Sequence, residues 1–391
     1  MAATHNVTFC GPQGIPFRLV IGRHKEKNVQ TFFNSQRVIY VYKGRSAIRL
    51  GCELLGLTAG DEILAPAYNC GSEIDVLLGS GLSVTLFRVD KSCSVDLQDI
   101  KRRITKKTRA IYLTHYFGFP SPATEVRKIC DDYGLYLIED CALSLFSRDK
   151  DQLIGSTGDV SIFSLPKTLP VPDGGILMIN NPLLKDRLVK LSQPSLRKVL
   201  YATLPLLKSE ILKHFVSTNY FMSVSALLSK KGRGLNTASL MTPVKRPSIP
   251  IDYYYNEKLN GKAMSTLSRH IIARLNPESI VNRRRENYNT LRGMLSEAVG
   301  VKPVYSELQD GVCPLSFPLL VENRESVRSQ LVARFIDAGA WWKGYHKGLQ
   351  WDEFPDACFL KDNVLTLPVH ERLDESDMAY IVENVLKAIN K

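Results

Sequence analysis

The chain has 391 residues, of which 44% are hydrophobic and 23% are charged, and this ordinary globular usage excludes a collagen-like, a disordered and a disulfide-scaffold protein. Its length predicts two domains, or one large α/β domain that carries a smaller one. The net charge is +12. Much of the excess lies between Arg197 and Ser248, where nine basic residues accompany the single acid Glu210.

The eight cysteines are scattered, with no CxxC pair and no short Cys/His cluster, so we expect reduced thiols and no metal site. Residues 1–16 lack a basic stretch followed by an apolar one, and no segment reaches the roughly 18 to 20 apolar residues that a spanning helix needs. These features predict a cytoplasmic protein.

From Tyr42 to Asn180, short apolar runs alternate with amphipathic stretches, which is typical of an α/β sheet. The predicted strands are Glu62–Ala65, Val84–Val89, Ala110–Thr114, Leu135–Ile138, Val160–Phe163 and Ile176–Ile179. The predicted helices between them are Ala47–Leu55, Ile74–Leu78, Asp96–Arg103 and Pro122–Tyr133.

A broken pair of helices is predicted over Arg197–Leu228, because Pro205 interrupts it, and a loop from Lys230 to Pro250 follows. The elements predicted beyond Ile251 are a long helix Lys262–Met294, a strand Leu315–Val321, a helix Arg324–Ala338 and a closing helix Glu375–Asn390. Within the long helix, the run Arg283, Arg284 and Arg285 indicates a solvated face. A subunit interface is the alternative.

Polar residues end several of the predicted strands, where ligands bind in open parallel sheets. His115 follows one strand, Asp140 another, and Ser164 with Lys167 a third, so an imidazole, an acid, a hydroxyl and an amine would share one rim. The start of the helix that follows Gly44 could hold an anion such as a phosphate. A plain helix cap at Ser46 is the alternative.

The order of these residues resembles the DegT/DnrJ/EryC1/StrS family of pyridoxal-phosphate (PLP) sugar aminotransferases, which have fold type I. The motifs that carry the resemblance are GRSA (44–47), GDEILAP (60–66), HYFG (115–118), IEDCA (138–142), GDVSIFS (158–164), Lys167 before Gly174-Gly175, and Leu367-Pro368-Val369-His370. Only the basic stretch from Arg197 to about Pro250 lies outside the resemblance.

The resemblance implies an α/β fold, with a PLP-transferase-like large domain built on a mostly parallel sheet and a smaller α+β C-terminal domain. Their expected bounds are residues 1–196 for the cofactor-binding domain, 197–250 for an insertion and 251–391 for the small domain. It also implies the following site: Lys167 as Schiff-base and acid/base lysine, Asp140 at the pyridine nitrogen, Arg45, Ser46 and Ser164 at the phosphate, Tyr68 stacked on the ring, and His115 near it. A core role is the alternative for His115.

Three departures from the family pattern bear on activity. Ser164 and Lys167 are three steps apart, where the family has five. Leu143 stands where the family has a Gln or His that contacts the ring oxygen, so that contact is lost or is replaced by Ser144 or His115. Cys70 occupies the place of the stacking aromatic in many relatives.

The function that the resemblance implies is amino transfer, from glutamate as the expected donor, to a nucleotide-linked keto-sugar for surface polysaccharide or a related glycan, in a homodimer. The alternative is a family-like PLP-binding regulator or a membrane-associated partner in polysaccharide assembly that no longer transaminates. A sugar dehydratase is disfavoured, because those relatives replace the Schiff-base lysine with histidine. The sugar, the keto position and the nucleotide have no readable motif.

Three interpretations of the basic segment 197–248 stay open: a solvated insertion, a membrane-surface helix pair at the inner face of the membrane, and a site that attracts anionic substrates. The apolar content of the segment argues against nucleic acid. Packing onto the domain or onto a dimer partner is the simplest account of its leucines.

Overall fold

A computed structural model describes residues 14–184, 189–215, 247–295 and 298–389, and within 212–215 it describes the backbone alone. The strands are β1 Arg37–Val41, β2 Glu62–Pro66, β3 Ser83–Phe87, β4 Thr108–Thr114, β5 Tyr136–Asp140, β6 Arg148–Asp149, β7 Gln152–Leu153, β8 Val160–Ser164, β9 Gly175–Ile179, β10 Ser248–Ile249, β11 Lys302–Pro303, β12 Ser316–Leu320, β13 Gly339–Ala340, β14 Tyr345–His346 and β15 Val364–Pro368.

The helices of the described residues alternate with the strands in the first half of the chain and dominate the second. They are α1 Phe17–Ile21, α2 Val29–Phe32, α3 Gly44–Leu54, α4 Ser72–Gly79, α5 Leu97–Arg103, α6 Ala123–Tyr133, α7 Leu196–Phe215, α8 Thr266–Ile272, α9 Pro277–Leu295, α10 Arg324–Val332, α11 Pro355–Asn363 and α12 Glu375–Ile389.

A seven-stranded sheet in the order β1-β9-β8-β5-β4-β2-β3 forms the centre of the large domain. Strands β3, β2, β4, β5 and β8 run parallel, and β9 is antiparallel to both of its neighbours. Alternate residues of β9 belong to two separate apolar clusters, Leu177 and Ile179 to one, Ile176 and Met178 to the other. The sheet is therefore buried on both faces, as the continuous apolar runs indicate.

The small domain contains a four-stranded sheet in the order β11-β12-β15-β13, with every pair antiparallel. Helices α9 and α10 pack against α12 beside it. The predicted fold class, a large α/β domain with a mostly parallel sheet and a smaller α+β domain, is confirmed.

Three predicted elements of the second half are wrong in their bounds. The helix predicted over Arg324–Ala338 ends at Val332. Helix α7 runs through Pro205 without a break over its described length, so the proline does not separate two helices there. The predicted helix Lys262–Met294 is instead α8 and α9, which are separate because Pro277 begins the second one and a residue before a proline avoids the helical conformation. The predicted elements within 216–246 lie outside the described residues.

The middle arginine of the 283–285 run is not solvated. Arg284 is 1% exposed and its guanidinium donates to the carbonyl oxygens of Thr168 (3.0 Å), Pro314 (3.3 Å) and Leu315 (3.0 Å). Arg283, by contrast, is exposed and pairs with Glu286. A buried guanidinium needs this many acceptors, and they come from distant loops, so the local sequence could not show them.

Within the described residues, no helix is long and apolar enough to cross a membrane. The seven cysteines of these ranges are all free, and no three His, Cys, Asp or Glu side chains there are grouped so as to hold a metal ion.

Candidate active site

The carboxyl end of β5 carries a buried carboxylate. Asp140 is the last residue of this strand and is 8% exposed. Its Oδ1 accepts the Ala142 N–H at 2.9 Å, and its Oδ2 accepts the Tyr112 hydroxyl at 2.9 Å. Burial raises the pKa of Asp140, and the amine of Lys167 acts in the opposite direction. The two groups thus lie within electrostatic reach of each other.

Lys167 ends a one-turn 3₁₀ helix, Leu165–Lys167, that follows β8 directly. The residue is exposed, and within the described ranges its amine has no hydrogen-bond or ion-pair partner. The ring centroid of Trp341 lies 5.8 Å from its Nζ. An amine without a protein partner, on the rim that carries Asp140, is available to a ligand.

The first turn of α3 forms the third side of the site. Its N-cap residue Lys43 makes no side-chain cap, and the amides of Gly44 and Arg45 donate to no acceptor among the described residues. Ser164 lies against this turn, since a Cβ added at Gly44 would be 3.2 Å from the Ser164 Cβ. Unsatisfied amides at a helix N-terminus beside a hydroxyl suit a phosphate.

The side chains of Arg45 and Ser46 are engaged by the segment 254–259. The guanidinium of Arg45 donates to the Tyr254 carbonyl, and the Ser46 hydroxyl donates to the Leu259 carbonyl at 3.2 Å. Arg45 therefore offers an anion its backbone amide, while its side chain fastens a covering segment over the helix start.

A buried pair at α4 anchors that covering segment. The carboxylate of Asp75 accepts the amides of Asp252 (3.0 Å) and Tyr254 (2.6 Å) and the Nε2 of His346 (2.7 Å). Both Asp75 and His346 are fully buried. Sequence analysis missed this pair, because its members are 271 positions apart and no local pattern marks either one.

Tyr68 and His115 lie close to the rim but have protein partners of their own. The Tyr68 hydroxyl donates to the Trp341 carbonyl, and its ring packs against Tyr116 and Trp342 at 5.4 and 5.1 Å. The ring nitrogens of His115 face Glu139 Oε2 (2.9 Å) and the Ser121 amide (3.0 Å). Their predicted roles toward a cofactor stay predictions.

Cys70 lies within electrostatic reach of Lys167, a proximity that the sequence alone could not show. Its thiol donates to Glu73 Oε2 at 2.7 Å, and burial beside that carboxylate raises the pKa of the thiol to about 12 while Lys167 lowers it. Glu73 also raises the pKa of Asp140. Cys70, Glu73, Asp140 and Lys167 thus form one electrostatic group.

A protein-family model matches most of this chain. The family model described as the DegT/DnrJ/EryC1/StrS aminotransferase family matches residues 23–386. This chain belongs to that family. The prediction of a PLP-dependent sugar aminotransferase is confirmed at the level of the family.

Two curated relatives show how far the similarity extends. GDP-perosamine synthase of Vibrio cholerae is 31% identical over 169 residues, which are 42% of this chain and 46% of that protein. The match thus spans about half the length of this relative. The dTDP-4-dehydro-2,3,6-trideoxy-D-glucose 4-aminotransferase of Saccharopolyspora spinosa is 24% identical over 90% of this chain and 85% of its own length.

Solved structures share the fold over nearly the whole chain. PseC of Helicobacter pylori, an aminotransferase involved in the biosynthesis of pseudoaminic acid, has a TM-score of 0.68 at 15% identity and covers 98% of this chain and 99% of its own. Spr1654 of Streptococcus pneumoniae in its PLP form has a TM-score of 0.69 at 16% identity, with 99% of both chains covered.

The residues present fit PLP. A carboxylate fixed by two donors, an amine without a protein partner and an uncapped helix start with a hydroxyl beside it correspond to a pyridine nitrogen, an aldehyde and a phosphate. A separate cavity of about 1200 Å³ is lined by the small domain and the turn Asp90–Ser92. No residue of the candidate site lines it.

Proposed function

We propose that this protein is a PLP-dependent aminotransferase that moves an amino group from glutamate to a nucleotide-linked keto-sugar. The observation that carries the proposal is the position of Lys167, whose amine has no hydrogen-bond or ion-pair partner within the described ranges and acts electrostatically on the buried Asp140. An amine of this kind can bond to an aldehyde and can carry a proton.

Each side chain of the site has a distinct part in this proposal. PLP supplies an electron-accepting ring that stabilises negative charge at the substrate carbon. Asp140, held by Tyr112 and the Ala142 amide, would place its negative charge at the pyridine nitrogen. The Gly44 and Arg45 amides with Ser164 would bind the phosphate, and Lys167 would move a proton to and from the substrate carbon at its Nζ.

The short spacing between Ser164 and Lys167 is compatible with this function. A single 3₁₀ turn connects them, with the Leu165 amide bonded to the Gly174 carbonyl. Ser164 still lies against the first turn of α3, and Lys167 still acts on Asp140. The two missing residues therefore shorten the connection without removing either group from the site.

The substrate class is inferred from the relatives and from charge. The names of the two curated relatives specify a GDP-linked and a dTDP-linked sugar. A basic chain with a net charge of +12 favours an anionic substrate such as a nucleoside diphosphate sugar. Surface polysaccharide or a related glycan is the proposed destination of the product, the cytoplasm is the proposed location, and a homodimer is the proposed assembly.

The test is an amino-transfer assay with defined compounds. The protein loaded with PLP would be incubated with glutamate and a GDP- or dTDP-linked 4-keto-6-deoxy sugar, and the nucleotide sugars would be analysed by mass spectrometry. The expected result is an amino sugar formed together with 2-oxoglutarate by the wild type, and none by Lys167→Ala. Lys106→Ala, which replaces an exposed lysine away from the site, is the matched control and should keep full activity.

One observation favours the second candidate, a PLP-binding family member that does not transaminate. Leu143 is apolar and buried, the Ser144 hydroxyl donates to the His115 carbonyl at 3.1 Å, and both ring nitrogens of His115 have protein partners. Neither Ser144 nor His115 is therefore available to replace the contact to the ring oxygen. Cofactor binding with no 2-oxoglutarate produced from glutamate would support this second function.

A further inference from the structure

Helix α7 exposes an apolar stripe on the protein surface. Its described outer residues Leu196, Leu200, Leu204 and Ile211 are 73, 51, 60 and 42% exposed. They follow one another at intervals of four, four and seven positions, which places them on one side of a helix. Four large aliphatic side chains along a single line differ from isolated exposed hydrophobics, which need no explanation.

A neighbouring side of α7, about a quarter-turn from the stripe, is already packed. Val199, Thr203, Leu206 and Glu210 are buried, at the intervals of a second helical line. Glu210 is 2% exposed and forms a bidentate pair with Arg372, whose Nη2 lies 3.0 and 2.9 Å from its two carboxylate oxygens. The helix is thus fixed to the body of the protein by this line, and the stripe lies beside it, exposed at the surface.

All charges on the outer part of this helix are positive. Arg197, Lys198 and Lys208 are exposed, and the acid of the described part of the helix, Glu210, is buried and paired with Arg372. Tyr201, at 82% exposure, lies among the basic residues. An apolar line flanked by cations and an amphipathic aromatic is the pattern of a helix that lies in the interface of an anionic bilayer.

We infer that the outer face of α7, defined by Leu196, Leu200, Leu204 and Ile211 with the flanking Arg197, Lys198 and Lys208, docks on the surface of a membrane that contains anionic phospholipid. Charge complementarity favours an anionic membrane over a second copy of the chain as the occupant of this face. A second copy that paired the same face about a two-fold axis would bring the three cations of each helix toward those of the other. Lipid headgroups carry the opposite charge.

The inference is independent of the proposed chemistry, because none of these residues belongs to the candidate active site. Docking would hold the site of sugar modification near a membrane without inserting the chain through it. The leucines would enter the boundary between headgroups and acyl chains, and the cations would remain among the phosphates.

The experiment is co-sedimentation of the full-length protein with sucrose-loaded vesicles. One vesicle preparation is phosphatidylcholine alone, and the other is phosphatidylcholine with phosphatidylglycerol. The wild type should sediment with the anionic vesicles and much less with the neutral ones, and added salt should weaken binding because it screens the headgroup charge.

Two variants and a matched control assign the binding to this face. Leu200→Glu with Leu204→Glu should lower the partition coefficient about tenfold or more, since it removes two exposed leucines that would enter the bilayer interface and adds two charges that anionic headgroups repel. Lys198→Gln with Lys208→Gln should reduce binding to anionic vesicles and leave the weak binding to neutral ones unchanged. Tyr133→Glu replaces an equally exposed residue on α6 and should bind as the wild type does.

Cofactor absorbance and thermal unfolding of each variant show whether it is folded. The inference is overturned if the wild type does not sediment with anionic vesicles, or if the Leu200/Leu204 variant binds as tightly as the wild type. Size-exclusion chromatography with light scattering identifies the alternative occupant. If the wild type binds no vesicle and the Leu200/Leu204 variant forms a smaller oligomer than the wild type, a second copy covers the face and the inference is overturned.

Discussion

The ionisation of Asp140 depends on two donated hydrogen bonds. Burial raises its pKa, and the Ala142 amide and the Tyr112 hydroxyl, which both donate to the carboxylate, lower it. A carboxylate that must stay ionised in a buried place needs such donors. Tyr112 comes from the neighbouring strand β4 and is itself fully buried, so its hydroxyl has a fixed direction.

Replacing Tyr112 with Phe should make Asp140 harder to ionise. The loss of a hydrogen bond to a charged group costs about 1.5 to 3 kcal/mol, so the pKa of Asp140 should rise when the Tyr112 hydroxyl, which lowers it, is removed. The acid limb of the pH profile of kcat/KM should therefore shift to higher pH. Amino-transfer rates measured as a function of pH would show this.

Tyr136→Phe is the control for this prediction, because its hydroxyl makes no hydrogen bond within the described residues. Its profile should overlay that of the wild type. An unshifted acid limb in Tyr112→Phe would contradict the assignment of Asp140 as the carboxylate whose charge activity requires.

The residues at strand ends could be predicted from the sequence, whereas their partners could not. Asp140, Ser164 and Lys167 each follow a short apolar run, and parallel strands bring such positions to one edge. Tyr112 lies beside Asp140 because strands β4 and β5 pair. Cys70 lies near Lys167 because of where the fold places the loop that follows β2. The register of Thr114 with Asp140 is a tertiary fact that no local pattern contains.

At the scale of elements, α7 contains a proline in its interior. Pro205 lacks the N–H that a helix uses and its ring crowds the preceding turn, and the side chain is exposed. Pro205→Ala should therefore raise the free energy of unfolding by about 1 to 3 kcal/mol. Urea unfolding followed by circular dichroism measures this gain.

Lys208→Ala, an exposed substitution on the same helix, should change the free energy of unfolding by less than about 0.5 kcal/mol. A loss of stability in Pro205→Ala would mean that the helix does not continue through this position. The broken pair of helices predicted from the sequence would then be the better description.

Helix α9 offers a matched pair of arginines. Arg284 donates to three carbonyls and lies 3.4 Å from a carboxylate oxygen of Glu371, whereas Arg283 forms an exposed pair with Glu286. Arg284→Met should lower the free energy of unfolding by about 2 to 4 kcal/mol, because it leaves buried acceptors unpaired. Arg283→Met should lower it by less than about 1 kcal/mol.

Because Arg284 holds the carbonyl of Thr168, the residue after Lys167, it is also a positioning residue for the lysine. Arg284→Met should lower kcat more than it changes KM, and Arg284→Lys should restore part of the loss. Equal stability and equal kcat in the Arg284 and Arg283 variants would contradict this role.

Elements of the large domain were predictable to within a few residues, because buried parallel strands are continuous apolar runs bounded by Gly, Pro and polar residues. The elements of the second half of the chain were less predictable from the sequence. The predicted helix Arg324–Ala338 ends at Val332, and the strand Val364–Pro368 was not among the predicted elements. Pairing with β12 and β13 makes the segment Val364–Pro368 a strand.

At the scale of the whole molecule, one buried lysine joins the two domains. Lys361 on α11 donates to the carbonyls of Asn69 (2.6 Å) and Gly344 (2.9 Å), and its amine lies 4.7 Å from the Trp351 ring centroid. It is fully buried, and this burial lowers its pKa from 10.5 to about 8. The contact attaches the small domain to the loop that follows β2.

This lysine should make stability depend on pH. Between about pH 8 and pH 10.5 the unfolded chain binds more protons at this site than the folded chain, so the contribution of Lys361 to the free energy of unfolding increases as pH rises. The difference in unfolding free energy between the wild type and Lys361→Met should therefore grow over this interval. Urea unfolding at several pH values measures it.

Lys347→Met, which replaces an exposed lysine near β14, is the control and should show no such trend. A difference between the wild type and Lys361→Met that is constant, or that falls as pH rises, would contradict the buried position of the amine.

The two-domain arrangement followed from chain length and from motif order, whereas the contacts between the domains did not. Lys361 is 292 positions from Asn69, and an isolated lysine in a sequence is usually a solvated one. The domain bounds at residues 196 and 250 stay predictions, since the insertion between them is described only in part.

The most direct test of the whole account is the visible spectrum of the protein mixed with PLP, recorded before and after glutamate, for the wild type and for Lys167→Ala. The account predicts the visible absorbance of lysine-bound PLP in the wild type, which glutamate bleaches, and no such absorbance in Lys167→Ala. The same absorbance and the same bleaching in both proteins, or none in either, would contradict the role of Lys167 and leave the family likeness as one of fold alone.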